Sequence, residues 1–185
     1  MSEDTDGDGV SDLIEVGAGT GRDAVALARA GAEVVTVDYV AGSLGLTRQA
    51  AERAGVATAT VCGNALALPF ANGSFDVVFH QGLLEHFRDP LPLLRENARV
   101  LRPGGRISVS DSVVVRGDMP QSVRDDMNKW AGCIAGAIPE QDYVNKLQAV
   151  GFGDVEIIYR DAKEEAACCG SQAPDAEPTA YAVES

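Results

Sequence analysis

The sequence has no long apolar run. Nowhere in its 185 residues is there a stretch approaching the roughly 20 uncharged residues that a helix needs to cross a bilayer. The first residues, Met1-Ser-Glu-Asp-Thr-Asp-Gly-Asp8, are acidic and contain no apolar segment of the kind that a secretory signal requires. We therefore expect a cytoplasmic protein without a membrane partner.

Basic residues are scarce as well. The chain has 15 lysines and arginines against 28 acidic residues, which gives a net charge of −13. Because such a field repels a phosphate backbone, nucleic acid is not expected as a partner. Lysine occurs only at Lys129, Lys146 and Lys163, which fits a salt-adapted host and equally well an ordinary acidic protein.

A disulfide framework is not expected either. The four cysteines are Cys62, Cys133, Cys168 and Cys169. In a reducing compartment such residues are free thiols or ligands of a soft metal. Cys62, at a predicted strand end, is expected to be a small apolar core residue. The adjacent Cys168 and Cys169 lie in a polar segment, which favours a thiol function.

The chain is long enough for one domain, and its 45% apolar residues provide a packed core. Residues 1–12 are predicted to be an acidic tail, residues 13–185 a single domain, and residues 160–178 a mobile link within it. Short apolar runs alternate with amphipathic segments, which is typical of a doubly wound, mostly parallel α/β sheet. Val155–Tyr159 and Thr179–Val183 are expected to form a terminal antiparallel pair.

Glycine and proline place the element boundaries. The predicted helices are Asp23–Ala30, Leu44–Ala54, Leu91–Leu101 and Pro139–Val150. The predicted strands before the terminal pair are Leu13–Val16, Glu33–Val37, Thr58–Cys62, Phe75–Phe79 and Arg106–Val109, the last of them following the breaker Pro103-Gly-Gly105.

A glycine-rich turn, Gly17-Ala-Gly-Thr-Gly21, joins the first strand to the first helix. Glycines let the backbone approach a ligand closely, and a helix amino terminus presents free N–H groups to an anion. Asp38, at the end of the next strand, is placed to accept hydrogen bonds from ribose hydroxyls. A nicotinamide site shares these features, so the glycines alone do not choose the cofactor.

Several further segments resemble class I S-adenosylmethionine (SAM)-dependent methyltransferases. They are Leu13-Ile-Glu-Val-Gly-Ala-Gly-Thr-Gly21, Gly63-Asn-Ala65, Ser74-Phe-Asp-Val-Val78, Leu84-Glu-His86 and Arg99-Val-Leu-Arg-Pro-Gly-Gly105. The resemblance implies a Rossmann-like fold and SAM as cofactor. The residues it assigns to SAM binding are Glu15, Gly17, Ala18, Gly19, Gly21, Asp38, Tyr39, Asn64 and Ala65.

Asn64 departs from the family pattern, since an acid that meets the adenine amino group is usual at its place. The asparagine carbonyl oxygen still accepts a hydrogen bond, but without charge assistance that bond is weaker. The alternative is that Asn64 only shapes a turn. Few residues precede the first strand, so the helices that often cap such a site are short or absent.

A second motif overlaps the first strand. Asp4-Thr-Asp-Gly-Asp-Gly-Val-Ser-Asp-Leu-Ile-Glu15 has the spacing of a calcium loop, and Asp4–Asp12 resembles thrombospondin type 3 calcium repeats. One backbone cannot serve both as the exit of that loop and as a buried strand. We therefore interpret the segment as a solvated acidic tail, with weak calcium binding by Asp4, Asp6 and Asp8 left open.

Few residues offer acid–base chemistry. His80, just beyond the fourth predicted strand, is either a general base facing the methyl group or a hydrogen-bonded wall of the cofactor pocket. Glu85 and His86 are expected to stabilise the start of the following helix and a loop over the cofactor. Methyl transfer from a sulfonium needs a base only when the acceptor carries a proton.

The segment Trp130-Ala-Gly-Cys-Ile-Ala-Gly-Ala-Ile-Pro-Glu140 closely resembles the arsenite methyltransferase family, as do Asp142-Tyr143 and Ser110-Asp111. The resemblance implies that Cys133 binds trivalent arsenic. We expect Cys168 and Cys169 to join it, with a thiol reductant as a further partner. His80-Gln-Gly-Leu-Leu-Glu-His86 instead resembles methyltransferases of quinone biosynthesis.

Three functions therefore remain open at the level of the sequence. The first is methyl transfer to arsenite, and the second is carbon or oxygen methylation of a small organic acceptor. The third is a SAM-binding or metalloid-sensing module without turnover, which the unusual Asn64 and the short amino-terminal region motivate.

Overall fold

A computed structural model describes residues 11–114, 120–126, 135–160 and 180–184. These residues fall into two compact units. The first contains residues up to 81 and residues 92–108, and the second contains residues 82–91 and those from 109 onward. The strands are β1 Asp12–Val16, β2 Glu33–Asp38, β3 Ala59–Cys62, β4 Phe75–Gln81, β5 Leu101–Val114, β6 Ile138–Pro139, β7 Glu156–Arg160 and β8 Ala180–Glu184. The helices are α1 Arg22–Arg29, α2 Ala41–Ala54, α3 Leu91–Val100, α4 Gln121–Arg124 and α5 Glu140–Ala149, with a 3₁₀ turn at Leu84–His86.

The first unit is built on parallel strands in the order β3-β2-β1-β4. β1 lies in the middle, with Leu13 opposite Val34 on one side and Val77 on the other. Ile14 and Val16 are fully buried because a parallel sheet is covered on both faces. The predicted Rossmann-like parallel α/β sheet is confirmed, and Leu13–Glu15 belong to a buried strand rather than to a calcium loop.

Helices α1 and α2 end close to the glycines that were predicted to stop them. Gly31 and Gly55 follow their last turns with φ of 99° and 68°, the left-handed conformation that glycine adopts at little cost. On α1, Ala24 packs with Leu13 and Val34 in a buried cluster. Burial of a leucine or valine side chain contributes about 1.5–3 kcal/mol, so this contact fixes the helix on the sheet.

The junction between α3 and β5 differs from the prediction. We expected the strand to begin at Arg106 after a glycine break, but it begins at Leu101, directly after the helix. The reason is a close approach: a Cβ on Gly105 would lie 3.0 Å from the carbonyl oxygens of Arg102 and Asp76. Glycine therefore lets the chain enter the sheet at this point, because any side chain would press on the backbone of both residues.

A buried carboxylate secures the same junction. Asp76, on β4, is buried and forms an ion pair with Arg102. Its second oxygen accepts a hydrogen bond from the backbone N–H of Asp12 at 3.0 Å. These two donors compensate the cost of burying the charge, so the aspartate ties together the β1, β4 and β5 strands.

The second unit contains the later part of β5. Val113 and Val114 pair in parallel with Ile138 and Pro139 of β6. Further along, Glu156–Arg160 pairs antiparallel with Ala180–Glu184. Helix α5 begins after Pro139 and buries Tyr143 and Leu147, which lie one helical turn apart. Among the described helices, none combines the length and the apolar character that a bilayer crossing demands.

Candidate functional site

The glycine turn after β1 has one open face. Gly17, Gly19 and Gly21 all have positive φ, at 76°, 53° and 74°. A Cβ on Gly21 would lie 2.5 Å from the side chain of Thr47, so this glycine serves packing. A Cβ on Gly19 would meet nothing within 4 Å. The backbone of Gly19 therefore borders open space, as a turn that receives a ligand requires.

Asp38 connects this turn to the end of β2. Its Oδ2 accepts a hydrogen bond from the Gly19 N–H at 2.9 Å, and its Oδ1 accepts one from the Val40 N–H at 2.8 Å. A carboxylate has about four lone-pair positions, so each oxygen retains acceptor capacity. The geometry suits a group that both shapes the glycine turn and accepts from two neighbouring hydroxyls of a ribose.

Replacing Asp38 with alanine is expected to weaken SAM binding by at least about 1–3 kcal/mol, the range for loss of a charged hydrogen-bond partner. Calorimetry measures this affinity directly, and circular dichroism verifies that the variant is folded. The control is Glu33→Ala, which removes one charge from the opposite end of the same strand. Equal SAM affinity in the parent and Asp38→Ala would remove Asp38 from the site.

Glu15 lies beneath the turn and is only 4% exposed. Burial raises its pKa to about 8, with further upward contributions from the charges of Asp23 and Asp38. The Ala24 N–H and the Arg22 guanidinium oppose that shift. Its Oε2 is buried without a hydrogen-bond partner among the described residues. A neutral carboxyl with one unsatisfied oxygen fits a place where a polar ligand completes the site.

The loop after β3 carries Asn64. Its Oδ1 accepts from the backbone N–H of Leu66 at 2.9 Å, and its backbone oxygen accepts from the Ala67 N–H at 2.9 Å. This is an Asx turn, in which the side chain holds its own loop. Ala65 within the turn is half-buried. The amide oxygen that we expected to face adenine thus already accepts one hydrogen bond within the chain.

Apolar side chains stand exposed around this loop. Tyr39, directly after Asp38, is 80% exposed, and Val40 and Leu66 are also largely exposed. Exposed large side chains next to a polar turn are typical of a surface that receives an aromatic ring. Sequence reasoning singled out Tyr39 but missed Val40 and Leu66, which no motif marks.

His80 is fully buried on β4. A fully buried imidazole suits the wall of a pocket better than a base that exchanges protons with solvent. Near the end of the same strand, Gln81 accepts a hydrogen bond from Arg22 at 2.8 Å. Arg22 begins α1, so this bond fixes the strand end to the helix that follows the glycine turn.

The second unit contains a small cavity with buried polar walls. Asp111 is one of the residues that line it: its Oδ1 accepts from the Leu83 N–H at 2.9 Å and its Oδ2 from the Tyr143 hydroxyl at 2.7 Å. Burial and the Asp111 charge raise the pKa of Tyr143 well above its usual range, so the hydroxyl remains a donor. Glu85 and the apolar Leu84 also line the cavity.

Gly136 shows why the segment after Cys133 has its composition. A Cβ at this position would lie 1.6 Å from the carbonyl oxygen of Glu85, which excludes every other residue. Ala135 and Ala137 on either side are buried. The small residues of the Gly-Ala motif therefore allow the backbone to lie against the 3₁₀ turn at Leu84–His86.

The predicted thiol residues fall outside the part of the chain that the structure describes. They are Cys133, Cys168 and Cys169, and the same holds for Trp130 and for Asp4, Asp6 and Asp8. Cys62 is described, and the prediction that it is a core residue is wrong: it is exposed at the end of β3, with Sγ 3.7 Å from the Tyr39 carbonyl oxygen. Within the described ranges no three His, Cys, Asp or Glu side chains form a group that would hold a metal.

Comparison with known proteins gives a consistent result. Residues 14–109 match the family described as a methyltransferase domain. The arsenite methyltransferase of Aquipseudomonas alcaligenes is 29% identical over 79% of this chain and 45% of its own length. The ubiquinone biosynthesis O-methyltransferase of Ruegeria pomeroyi is 40% identical over 50% of this chain and 38% of its own length. The chain thus spans less than half of either relative.

A solved structure extends the likeness to nearly the whole chain. It is an arsenic(III) S-adenosylmethionine methyltransferase from Chlamydomonas reinhardtii, with a TM-score of 0.73 and 26% sequence identity. The match covers 94% of this chain and 62% of that one.

Proposed function

Because this chain belongs to the methyltransferase-domain family and is a SAM-dependent methyltransferase, we propose that its methyl acceptor is trivalent arsenic held by cysteine thiolates. The likeness to the Chlamydomonas arsenic(III) methyltransferase, at 26% identity over 94% of the chain, is the observation that carries the proposal. The setting of Cys133 between Gly132 and the buried Ala135 supports it.

The first unit would hold the cofactor. The open face at Gly19 gives it access to the backbone, Asp38 accepts from the ribose hydroxyls, and Tyr39 lies beside the base. Glu15 and Asn64 contribute the remaining polar groups. SAM bound there supplies an electrophilic methyl group on a sulfonium. The chain has to bind, orient and shield that group rather than activate it.

The acceptor would be held by Cys133 with Cys168 or Cys169. Thiolates are soft ligands that select an ion such as arsenic(III) over the hard cations of a cell. Two or three of them leave the arsenic lone pair free, so no general base is required. His80 is buried, and Tyr143 and Asp111 are hydrogen-bonded to each other. None of these three residues is placed to remove a proton from an acceptor. Attack by the lone pair would form the arsenic–carbon bond as the sulfonium–methyl bond breaks, and it would oxidise arsenic by two electrons. Two of the cysteine thiolates would return these electrons by forming a disulfide, which a thiol reductant would reduce between turnovers.

Radiolabelled methyl transfer tests the acceptor. The protein is incubated with methyl-labelled SAM and one acceptor at a time. The acceptors are arsenite and a panel of phenols and quinone precursors. We expect labelled methylarsenic species and no transfer to the panel. Titration with trivalent arsenic should quench the fluorescence of Trp130, the single tryptophan of the chain. Transfer to a panel member without transfer to arsenite would refute the proposal.

A small organic acceptor is the second candidate. In the second unit the buried Asp111–Tyr143 pair lies beside the apolar Leu84 and Ile138. The ubiquinone O-methyltransferase of Ruegeria pomeroyi, 40% identical over half of this chain, points the same way.

A further inference from the structure

Side chains from two neighbouring elements of the first unit hold the middle of the glycine turn. Asp38, at the end of β2, accepts a hydrogen bond from the Gly19 N–H at 2.9 Å. The hydroxyl of Thr47 donates to the Gly19 carbonyl oxygen at 3.3 Å. Thr47 belongs to α2 and is fully buried. Both polar groups of the Gly19 backbone are therefore bound by side chains that come from outside the turn.

Thr47 does not need this contact for the stability of its own helix. Its hydroxyl also lies 3.2 Å from the carbonyl oxygen of Ser43, one turn earlier in α2. A threonine within a helix can always direct its single hydroxyl proton to such a carbonyl. The contact with Gly19 is additional, and the Thr47 side chain also packs against Gly21. Thr47 is therefore the residue through which α2 contacts the glycine turn at two positions.

The peptide between Gly19 and Thr20 converts the contact into the orientation of a backbone donor. The described chain contains no cis peptide bond, and in a trans peptide the C=O and the N–H point to opposite sides. Because the Gly19 carbonyl is directed at Thr47, the Thr20 N–H points away from α2. Thr20 is exposed, and its N–H has no acceptor among the described residues. The other N–H groups of the turn donate within the chain, namely those of Gly17, Ala18, Gly19 and Gly21.

We propose, on the basis of the cofactor site assigned above, that Thr47 is a positioning residue for SAM. Its hydroxyl directs the Gly19 carbonyl toward α2, and the same peptide then presents the Thr20 N–H to an acceptor group of the cofactor. Thr47 acts through this peptide and not by contact with the cofactor. Glycine is the residue with the largest backbone freedom, so a peptide next to it needs such a restraint. A turn held in this way binds its ligand without first paying the entropy of ordering.

Removal of the hydroxyl tests the proposal. Thr47→Val keeps the branched shape of the side chain but has no donor. We expect its dissociation constant for SAM to rise about three- to tenfold, the effect of one hydrogen bond. Thr47→Ser restores the hydroxyl and should bind SAM within about twofold of the parent. Calorimetry measures all three proteins, and Thr47→Ala takes the place of the valine variant if that variant does not fold.

Thr36→Val is the matched control. Thr36 is also fully buried in the first unit, and its hydroxyl donates to the Ala59 carbonyl oxygen at 3.1 Å. Each valine variant thus loses one hydroxyl–carbonyl hydrogen bond, so urea unfolding without cofactor should show similar losses of stability in both. Only Thr47→Val should lose affinity for SAM. A purely structural role of Thr47 would leave the two valine variants with the same SAM affinity.

Each outcome supports or overturns the assignment. Equal SAM affinities of Thr47→Val and Thr36→Val, with weaker binding in Asp38→Ala, would overturn this inference and leave the cofactor site standing. Equally weak binding in Thr47→Val and Thr47→Ser would overturn it too, because the hydroxyl would then not be responsible. If the parent protein does not bind SAM, the cofactor site and the positioning role of Thr47 are both wrong.

Discussion

Cys133→Ser is expected to abolish methyl transfer to arsenite while leaving SAM binding unchanged. A serine hydroxyl is a hard ligand that does not replace a thiolate on a soft ion, so the arsenic site loses the residue on which it depends. Cys168→Ser and Cys169→Ser should each reduce the rate, and the double variant should match Cys133→Ser. The measurements are labelled methyl transfer and, separately, calorimetric SAM binding.

Cys62→Ser provides the control for this series. Of the four cysteines only Cys62 lies within the described residues, where it is exposed at the end of β3. Serine keeps the contact with the Tyr39 carbonyl oxygen, so arsenite methylation should continue at the parental rate. Parental rates in all the cysteine variants, or a parent that never methylates arsenite, would leave the small organic acceptor as the substrate class.

Patterns of neighbouring residues in the sequence were sufficient to predict most strands and helices of the first unit. β1 and β2 are short apolar runs, and Gly31 and Gly55 end the helices beside them with a backbone conformation that other residues avoid. Such features depend on neighbours in the sequence and are therefore visible in it. For the same reason Asp38, at the end of its strand, was predicted at the place where the structure has it.

Non-local contacts explain the boundary that was predicted incorrectly. Pro103-Gly-Gly105 reads as a loop in isolation, yet β5 runs through it. The decisive contact is between Gly105 and the backbone of Asp76, and the ion pair of Asp76 with Arg102 fixes it further. No sequence window around residue 103 contains Asp76, so propensity alone favours a break.

The sites show the same division. Tyr143 and Asp111 form their hydrogen bond across 32 positions of the sequence, and nothing near either residue announces the other. Cys62 was expected in the core because free cysteine is usually buried, but the strand end leaves it exposed. For Asn64 the sequence suggested either a turn or a cofactor contact: the turn is present in the structure, and the cofactor contact stays a prediction.

Glu15→Gln is expected to remove most of the pH dependence of stability in the neutral range. In the folded protein burial raises the pKa of Glu15 from 4.5 to about 8, so the fold retains a proton that the unfolded chain has released. The free energy of unfolding of the parent should therefore fall as pH rises through this window, by about 1.4 kcal/mol per pH unit, and level off above it. Glutamine is nearly isosteric and never ionises.

Urea unfolding without cofactor, repeated from about pH 5 to about pH 9, measures both proteins. The two should be similarly stable near pH 5, because the carboxyl is then protonated in the fold, and the variant should exceed the parent by several kcal/mol above pH 8. Titrating groups that do not interact with Glu15 cancel in the difference between the two proteins. Glu33→Gln, exposed at the start of β2, should follow the parent at every pH. Parallel curves for the parent and Glu15→Gln would mean that Glu15 is ionised in the fold, and the neutral carboxyl beneath the glycine turn would have to be abandoned.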